Sequence, residues 1–307
     1  MSAGVLALQE FVEVPITTYR GAFRIGGVSV EMTGSHSDVI FASPLDRFRV
    51  RTDAPDIRIQ IEWHTRLPVP VARQFFDSGC TWRLYEDTSG FRFDFHVPAC
   101  RILPYKRLVI DRYFSQARLQ MSKEVLADKA LALSPLEYPL DELLIMHRLT
   151  QEKAIELHGC GIVRTNGEGN LFVGHSGAGK STTTRLWTSR HDVEVLSDDR
   201  IIVREHPGQM VMYGTPWHGE AAYASPGSAP LSRICILEHG HGNVLTRLSK
   251  SQAVAELFAR SFVPFHRHEY LESALEFLQD IVNAVPVYRY AFEPDQRAVD
   301  TILKLHD

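Results

Sequence analysis

The chain has 307 residues, 44% hydrophobic and 23% charged, a balance that excludes a disordered polypeptide and leaves room for two domains of ordinary size. Its 33 basic and 37 acidic side chains leave a net charge of −4, so no general basic field is available for nucleic acid or an anionic membrane. No apolar run approaches the roughly 20 residues that span a bilayer. The N-terminus, MSAGVLALQEFVEVP, has no basic start and carries Glu10 and Glu13 close to its apolar run, so it does not read as a signal peptide. Cys80, Cys100, Cys160 and Cys235 are widely spaced, with no metal-ligand pattern. They are expected to be reduced, mostly buried thiols of a cytoplasmic protein.

Residues 1–130 read as β-rich. A turn at Gly26-Gly27 separates two short strands. Ile57, Ile59, Ile61 and Trp63 alternate with Arg58, Gln60 and Glu62, and Phe91, Phe93, Phe95 and Val97 alternate with Arg92, Asp94 and His96. Period-two alternation predicts antiparallel strands with one buried and one wet face. Thr88-Ser89-Gly90 is the expected hairpin turn before the Phe-rich strand. His64 and His96 are expected to be half-exposed strand residues. No catalytic constellation is visible here, and the region reads as a scaffold or substrate-docking domain.

Residues 120–138 read as a connection, closed by Ser134-Pro135 and Tyr138-Pro139. Leu140, Leu143, Leu144, Ile145 and Leu149 then have helical spacing. A strand follows at Leu157-His158-Gly159-Cys160-Gly161-Ile162-Val163, and another at Leu171-Phe172-Val173.

The next stretch carries the chemistry. Gly174-His175-Ser176-Gly177-Ala178-Gly179-Lys180-Ser181 fits the G-x-x-x-x-G-K-[ST] pattern of a P-loop, and Ser181–Ser189 reads as a helix whose N-terminus faces the loop. Glycines allow successive backbone N–H groups to turn onto phosphate oxygens. Lys180 would supply a cation to the β/γ-phosphates, and Ser181 a hydroxyl to Mg²⁺. Thr182 completes the nucleotide-binding set. Val193-Glu194-Val195-Leu196 is the next strand, and it runs into Asp198-Asp199. Adjacent strand residues point to opposite faces, so one carboxylate can serve the metal and the other the acceptor hydroxyl. The residues alone do not say which does which.

Ile201-Ile202-Val203 and Met210-Val211-Met212-Tyr213 form an expected hairpin about Pro207-Gly208. In the loop Gly214-Thr215-Pro216-Trp217-His218-Gly219-Glu220, His218 and Glu220 are candidates to touch substrate or metal, or else to cap a rigid turn. Ile234-Cys235-Ile236-Leu237 reads as a buried strand, followed by a hairpin turn at His239-Gly240-His241-Gly242. These histidines, like His266 and His268, lack partners for a metal site. Ser251 is the expected cap of a helix containing Ala253, Val254, Leu257 and Phe258. Leu271, Ala274, Leu275, Leu278 and Val282 form the stripe of a longer helix ending before Pro286. A strand at residues 287–292 and a last helix around Val299, Ile302 and Leu303 complete the chain.

An acidic pair on the strand right after a P-loop, with a His-Gly strand before it, resembles HPr kinase/phosphorylase and phosphoenolpyruvate carboxykinase over about residues 139–215. The resemblance is nearest to HPr-kinase-related proteins of modified-peptide biosynthesis. It implies an α/β fold: a P-loop domain over 131–307 with a mixed sheet and C-terminal helices. The β-rich domain over 1–130 is read from the strand alternation and departs from the α/β character of the HPr kinase N-terminal domain. The resemblance implies ATP and Mg²⁺ as cofactors, Ser181 and Asp198 at the metal, Asp199 as base, and His158 as a contact to phosphate or a support for the acid. Thr182 stands where HPr kinase usually has Glu, and the C-terminal phosphatase segment is not visible. A peptide or protein serine, or a small-molecule hydroxyl, therefore fits better than HPr as acceptor. A homo-oligomer is compatible with this reading; nucleic acid and membrane partners are not expected. A carboxykinase-type enzyme and a non-catalytic nucleotide-binding regulator are the alternatives.

Overall fold

The computed structural model describes residues 19–35, 43–68, 73–79, 81–86, 88–96, 103–126, 134–189 and 193–305. The N-terminal stretch, Cys80, Cys100 and Val97 lie outside the described residues. The first sheet contains β1 (Tyr19–Ile25), β2 (Val28–Gly34), β3 (Ile57–His64), β4 (Gln74–Asp77), β5 (Trp82–Glu86), β6 (Gly90–Phe95), β7 (Lys106–Asp111) and β8 (Gln116–Ser122), with a one-turn helix α1 (Ser43–Asp46) after β2. Their spatial order is β1-β2-β3-β8-β7-β6-β5-β4. The β1–β2 and β5–β6 hairpins form where their turns predict. The sheet is nevertheless mixed, because β3 lies parallel to both β2 and β8. The alternation of β3 reports burial and is blind to the direction of its neighbours.

The expected wet face of β6 is closed. Asp94 is 0% exposed and is gripped by Arg107 through Nε at 2.6 Å and Nη2 at 3.0 Å, while Nη2 also donates to the Pro68 carbonyl. A carboxylate this deep is tolerable only with such a bidentate partner. His96 is likewise buried, not half-exposed, and burial beside Arg83 lowers its pKa. His64 stays partly exposed.

After α2 (Lys123–Leu126), the helix α3 (Leu140–Leu149) starts behind Pro139, with Asp141 and Glu142 in its first turn and His147 and Arg148 in its last, as the helix dipole favours. Its leucines pack into the core of the first sheet, although the sequence places it with the second half.

The second sheet contains β9 (Ala154–Arg164), β10 (Gly169–Val173), β11 (Val193–Ser197), β12 (Arg200–His206), β13 (Gln209–Tyr213), β14 (Ser228–His239), β15 (Val244–Arg247), β16 (Ser261–Phe262) and β17 (Val287–Phe292). Helix α4 (Lys180–Thr188) joins β10 to β11; α5 (Lys250–Phe258), α6 (His268–Ala284) and α7 (Gln296–Leu303) lie toward the C-terminus. The main path is β10-β9-β12-β13-β14-β17-β15, and β10 also pairs parallel with β14. One face packs on α5 and α6, the other on α4 and α7. The architecture is α/β with mixed sheets.

Three local expectations are corrected here. The turn after β14 makes no hairpin with β15, because β17 inserts between them. Ser249, not Ser251, caps α5, in a capping box with Gln252. On α6 the core face is Ala274, Phe277, Leu278, Ile281 and Val282, while Leu275 is 41% exposed. The halves are docked through polar and apolar contacts. Arg204 donates to the Gly26 carbonyl at 3.0 Å, and a Cβ on Gly26 would lie 2.5 Å from Ile202 Cδ1. Gly26 also has φ +55°, so its lack of a side chain serves both the turn and the junction.

Candidate functional site

The site is organised by β9. On one edge, β11 and β12 follow one another antiparallel to it: Val193–Ser197 pair with Arg164–Gly161, and Arg200–Arg204 with His158–Ala154. Asp198 and Asp199 occupy the break between these two runs. Gly159 N donates to the Asp199 carbonyl there at 3.0 Å. On the other edge β10 ends opposite Gly159, and Gly174 N donates to the His158 carbonyl at 3.1 Å. The glycine loop and the acidic pair therefore leave the same point of β9 from its two sides. Gly159 is required at that point, since a Cβ would come 2.9 Å from the Phe172 carbonyl oxygen.

The loop is shaped by Gly177 at φ +82° and Gly179 at φ +104°, the latter capping α4. Conformations of this sign are costly for other residues. A Cβ on Gly179 would also strike Phe292 at 2.5 Å. His175, Ser176 and Gly177 are exposed, Ala178, Gly179, Ser181 and Thr182 are half-buried, and Lys180 is 6% exposed. Lys180 Nζ donates to the carbonyls of Gly174 at 3.1 Å and His175 at 3.2 Å. Burial lowers its pKa; among the carboxylates, Asp199 opposes this most and Asp198 less. The first N–H groups of α4 have no intrahelical acceptor and point out of its N-terminus. The helix itself is held by Trp187, 1% exposed against Phe172.

The two aspartates have different surroundings. Asp199 Oδ1 lies 2.9 Å from His158 Nε2, and its Oδ2 pairs with Arg200. Burial alone would raise its pKa, but the His158 hydrogen bond and the charges of Arg200, His158 and Lys180 outweigh that and lower it. Asp198 is 1% exposed and turns the other way. Its Oδ1 accepts from Gly219 N at 3.0 Å and Tyr223 N at 3.2 Å, and its Oδ2 from Ala221 N at 2.9 Å. In this structure it anchors the 219–223 segment, whereas the sequence reading makes it an open carboxylate for metal. Gly219 allows the wrap, for a Cβ would lie 3.0 Å from Asp198 Oδ2.

A cavity of about 370 Å³ opens at Asp199, between Pro44, Tyr138, Asp141, Arg200, Trp217 and His218 among others. His218 is exposed and lines it; Glu220 is exposed and is not part of the lining. Trp217 is fixed by its Nε1 donating to Asp141 Oδ2 at 2.9 Å. Sequence reasoning missed Arg200, which directly follows the acidic pair. Its guanidinium ties Asp199 to Glu142 at 3.0 Å and lies 4.0 Å over the Phe262 ring. It also missed His239, whose Nε2 reaches the Gly177 carbonyl at 2.9 Å. Among the described residues no group of three or more His, Cys, Asp or Glu gathers as a metal site, and no helix is long and apolar enough to cross a membrane.

Burial pushes the Asp141 carboxyl up to about 6, against the pull of its bonds from Trp217 and the Glu142 amide. The folded pKa exceeds the unfolded one, so this group's contribution to stability is complete below about pH 4 and is lost as pH rises through about 6. Asp141→Asn removes the titration and keeps one acceptor oxygen. The stability difference between variant and wild type should shift in the variant's favour by about 2–3 kcal/mol between pH 4 and 7.5, read by chemical denaturation. Parallel curves for the two proteins would contradict this.

No family model matches the chain, and no curated protein sequence matches it.

Proposed function

We propose that the protein is an ATP- and Mg²⁺-dependent phosphotransferase of the HPr kinase-like type, acting on the serine hydroxyl of a peptide or protein, or on a small-molecule hydroxyl. The observation that carries this is the shared origin of the 174–181 loop and Asp199 at His158–Gly159 of β9, with Lys180 under the field of Asp199. In this reading residues 174–182 form a P-loop. Backbone N–H groups of residues 175–182 receive the phosphates, and Lys180 exchanges its two carbonyl partners for phosphate oxygens. The carbonyl pair that now holds the ammonium supports this fit: its cation is already placed at the rim of the loop.

Ser181 fits Mg²⁺ as a half-buried hydroxyl in the first turn of α4; Asp199, the carboxylate that leaves β9 beside the loop, would reach the ion only through water. A Mg²⁺ site of this kind needs few protein ligands, since phosphates and water supply the rest. When bound, the ion would offset charge on the transferring phosphoryl group. Asp199 lines the 370 Å³ cavity, where an acceptor hydroxyl would donate its proton to it. His158 and Arg200 position that carboxylate from either oxygen and keep it ionised. Asp198 holds the loop carrying Trp217 and His218 over the acceptor.

The test is mass spectrometry of serine peptides and free serine after incubation with protein, ATP and Mg²⁺. A gain of one phosphate on either is expected. Oxaloacetate-dependent nucleotide turnover with no phosphorylated hydroxyl would instead identify a carboxykinase, and nucleotide binding without turnover a regulator.

A further inference from the structure

Next to the cavity at Asp199 lies another of about 340 Å³, walled by Phe76, Trp82, Leu143, Met146, Val263 and Phe265. The two cavities share Tyr138 and Arg200, so one extended ligand can occupy both. The volume is in the range of ligand pockets, roughly 300–1,000 Å³. Its aromatic lining is partly open to solvent. Phe265 is 68% and Tyr138 63% exposed, and Phe76 packs between Trp82 and Phe265 with ring centroids 5.1 and 5.6 Å away.

The lining also contains two imidazoles, His147 and His266, with ring centroids 5.1 Å apart. His147 is 1% exposed. Its Nδ1 lies 2.6 Å from the Leu143 carbonyl oxygen, which can only accept, so Nδ1 carries the proton. Burial, together with neighbouring His266, pushes the pKa of His147 down to about 3, so the ring is neutral at physiological pH. Its Nε2 is therefore a bare acceptor. Among the described residues that atom has no hydrogen-bond partner, and neither has Nε2 of His266. A buried acceptor left unmet is costly, and it calls for one N–H or O–H. Of the other polar residues that line the cavity, Arg200 is paired with Glu142 and Asp199, and the Ser261 hydroxyl donates to the Phe258 carbonyl.

We propose that this second cavity binds a tyrosine or tryptophan side chain of a peptide whose acceptor hydroxyl lies in the neighbouring cavity at Asp199. The ring meets the aromatic walls edge-on or offset, and its O–H or N–H donates to His147 Nε2. Phenylalanine fills the same walls and leaves that nitrogen unmet. The acceptor is then a peptide and not a lone hydroxyl compound, because free serine cannot reach both cavities. The placement of the acceptor hydroxyl rests on the phosphotransfer reading above; the aromatic pocket does not.

The test uses the full chain with Mg²⁺ and ATP, or a non-hydrolysable analogue, and a set of serine peptides. Each position around the serine is set in turn to Ala, Phe, Tyr or Trp. Affinity is read by calorimetry and phosphate gain by mass spectrometry. At one fixed offset, Tyr or Trp should bind about tenfold or more tighter than Ala, and about fivefold tighter than Phe. Phe265→Ser, a change at an exposed position, should remove the aromatic advantage, and His147→Phe should level Tyr with Phe. The absence of aromatic preference at every offset overturns the pocket, even where phosphate is transferred. So does a preference unchanged in both variants. An aromatic preference that responds to both variants, with no phosphate on any peptide, keeps the pocket and overturns the phosphotransfer reading.

Discussion

Lys180→Met is expected to reduce phosphate transfer by about 10²–10³-fold or more while leaving the protein at least as stable as wild type. The two halves of this outcome have one cause. Lys180 is 6% exposed, and burial already works against its charge. Among the described residues its hydrogen-bond partners are the Gly174 and His175 carbonyls of the loop itself. Removing the ammonium deletes a desolvated cation that the resting fold does not need. In the transition state that cation would lie against the accumulating charge of the phosphoryl group, so its loss appears in rate. Phosphate transfer is followed by mass spectrometry and stability by thermal melting. A fully active variant removes the P-loop assignment, and an unfolded one shows that Lys180 is structural.

The aspartates should separate into a rate effect and a stability effect. Asp199→Asn keeps the shape beside His158 and loses the proton acceptor, so turnover should fall by about 10²–10⁴-fold with Mg-nucleotide affinity changed by only a few fold. Asp198→Asn should instead lower stability, by about 2–4 kcal/mol, and loosen the 219–223 segment. Three main-chain donors converge on its two oxygens inside the protein, and an amide offers one oxygen and an unwanted N–H₂ donor in their place. Single-turnover kinetics and denaturant midpoints distinguish the two. If Asp198→Asn folds normally and loses Mg-nucleotide binding alone, the metal role belongs to Asp198. The lowered pKa of Asp199 adds a pH sign. Its ionised form favours folding, so that contribution is present above the unfolded carboxylate range and disappears as pH falls through the folded value.

Much of the second sheet was legible. Leu171–Val173, Val193–Leu196, Ile201–Val203 and Val287–Phe292 all lie in strands, and the helix after the glycine loop starts one residue from its expected position. Such segments are apolar runs bounded by turn residues, and local pattern suffices for them. Neighbour choice was not legible. The insertion of β17 between β14 and β15, and the parallel contacts of β3, depend on segments distant in the chain. The burial of Asp94 was hidden for a related reason: it depends on Arg107 and on the loop at Pro68.

The glycine loop, the strand that feeds it and the two adjacent carboxylates are legible in the chain, because each is written in contiguous residues whose backbone needs are local. What each carboxylate faces comes from the folded arrangement. Asp198 is captured by backbone amides more than 20 positions downstream, and Asp199 by His158, which lies 41 positions upstream. A side chain's partner is fixed by how strands pair across the sheet, and a single sequence records the propensity to pair but not the partner.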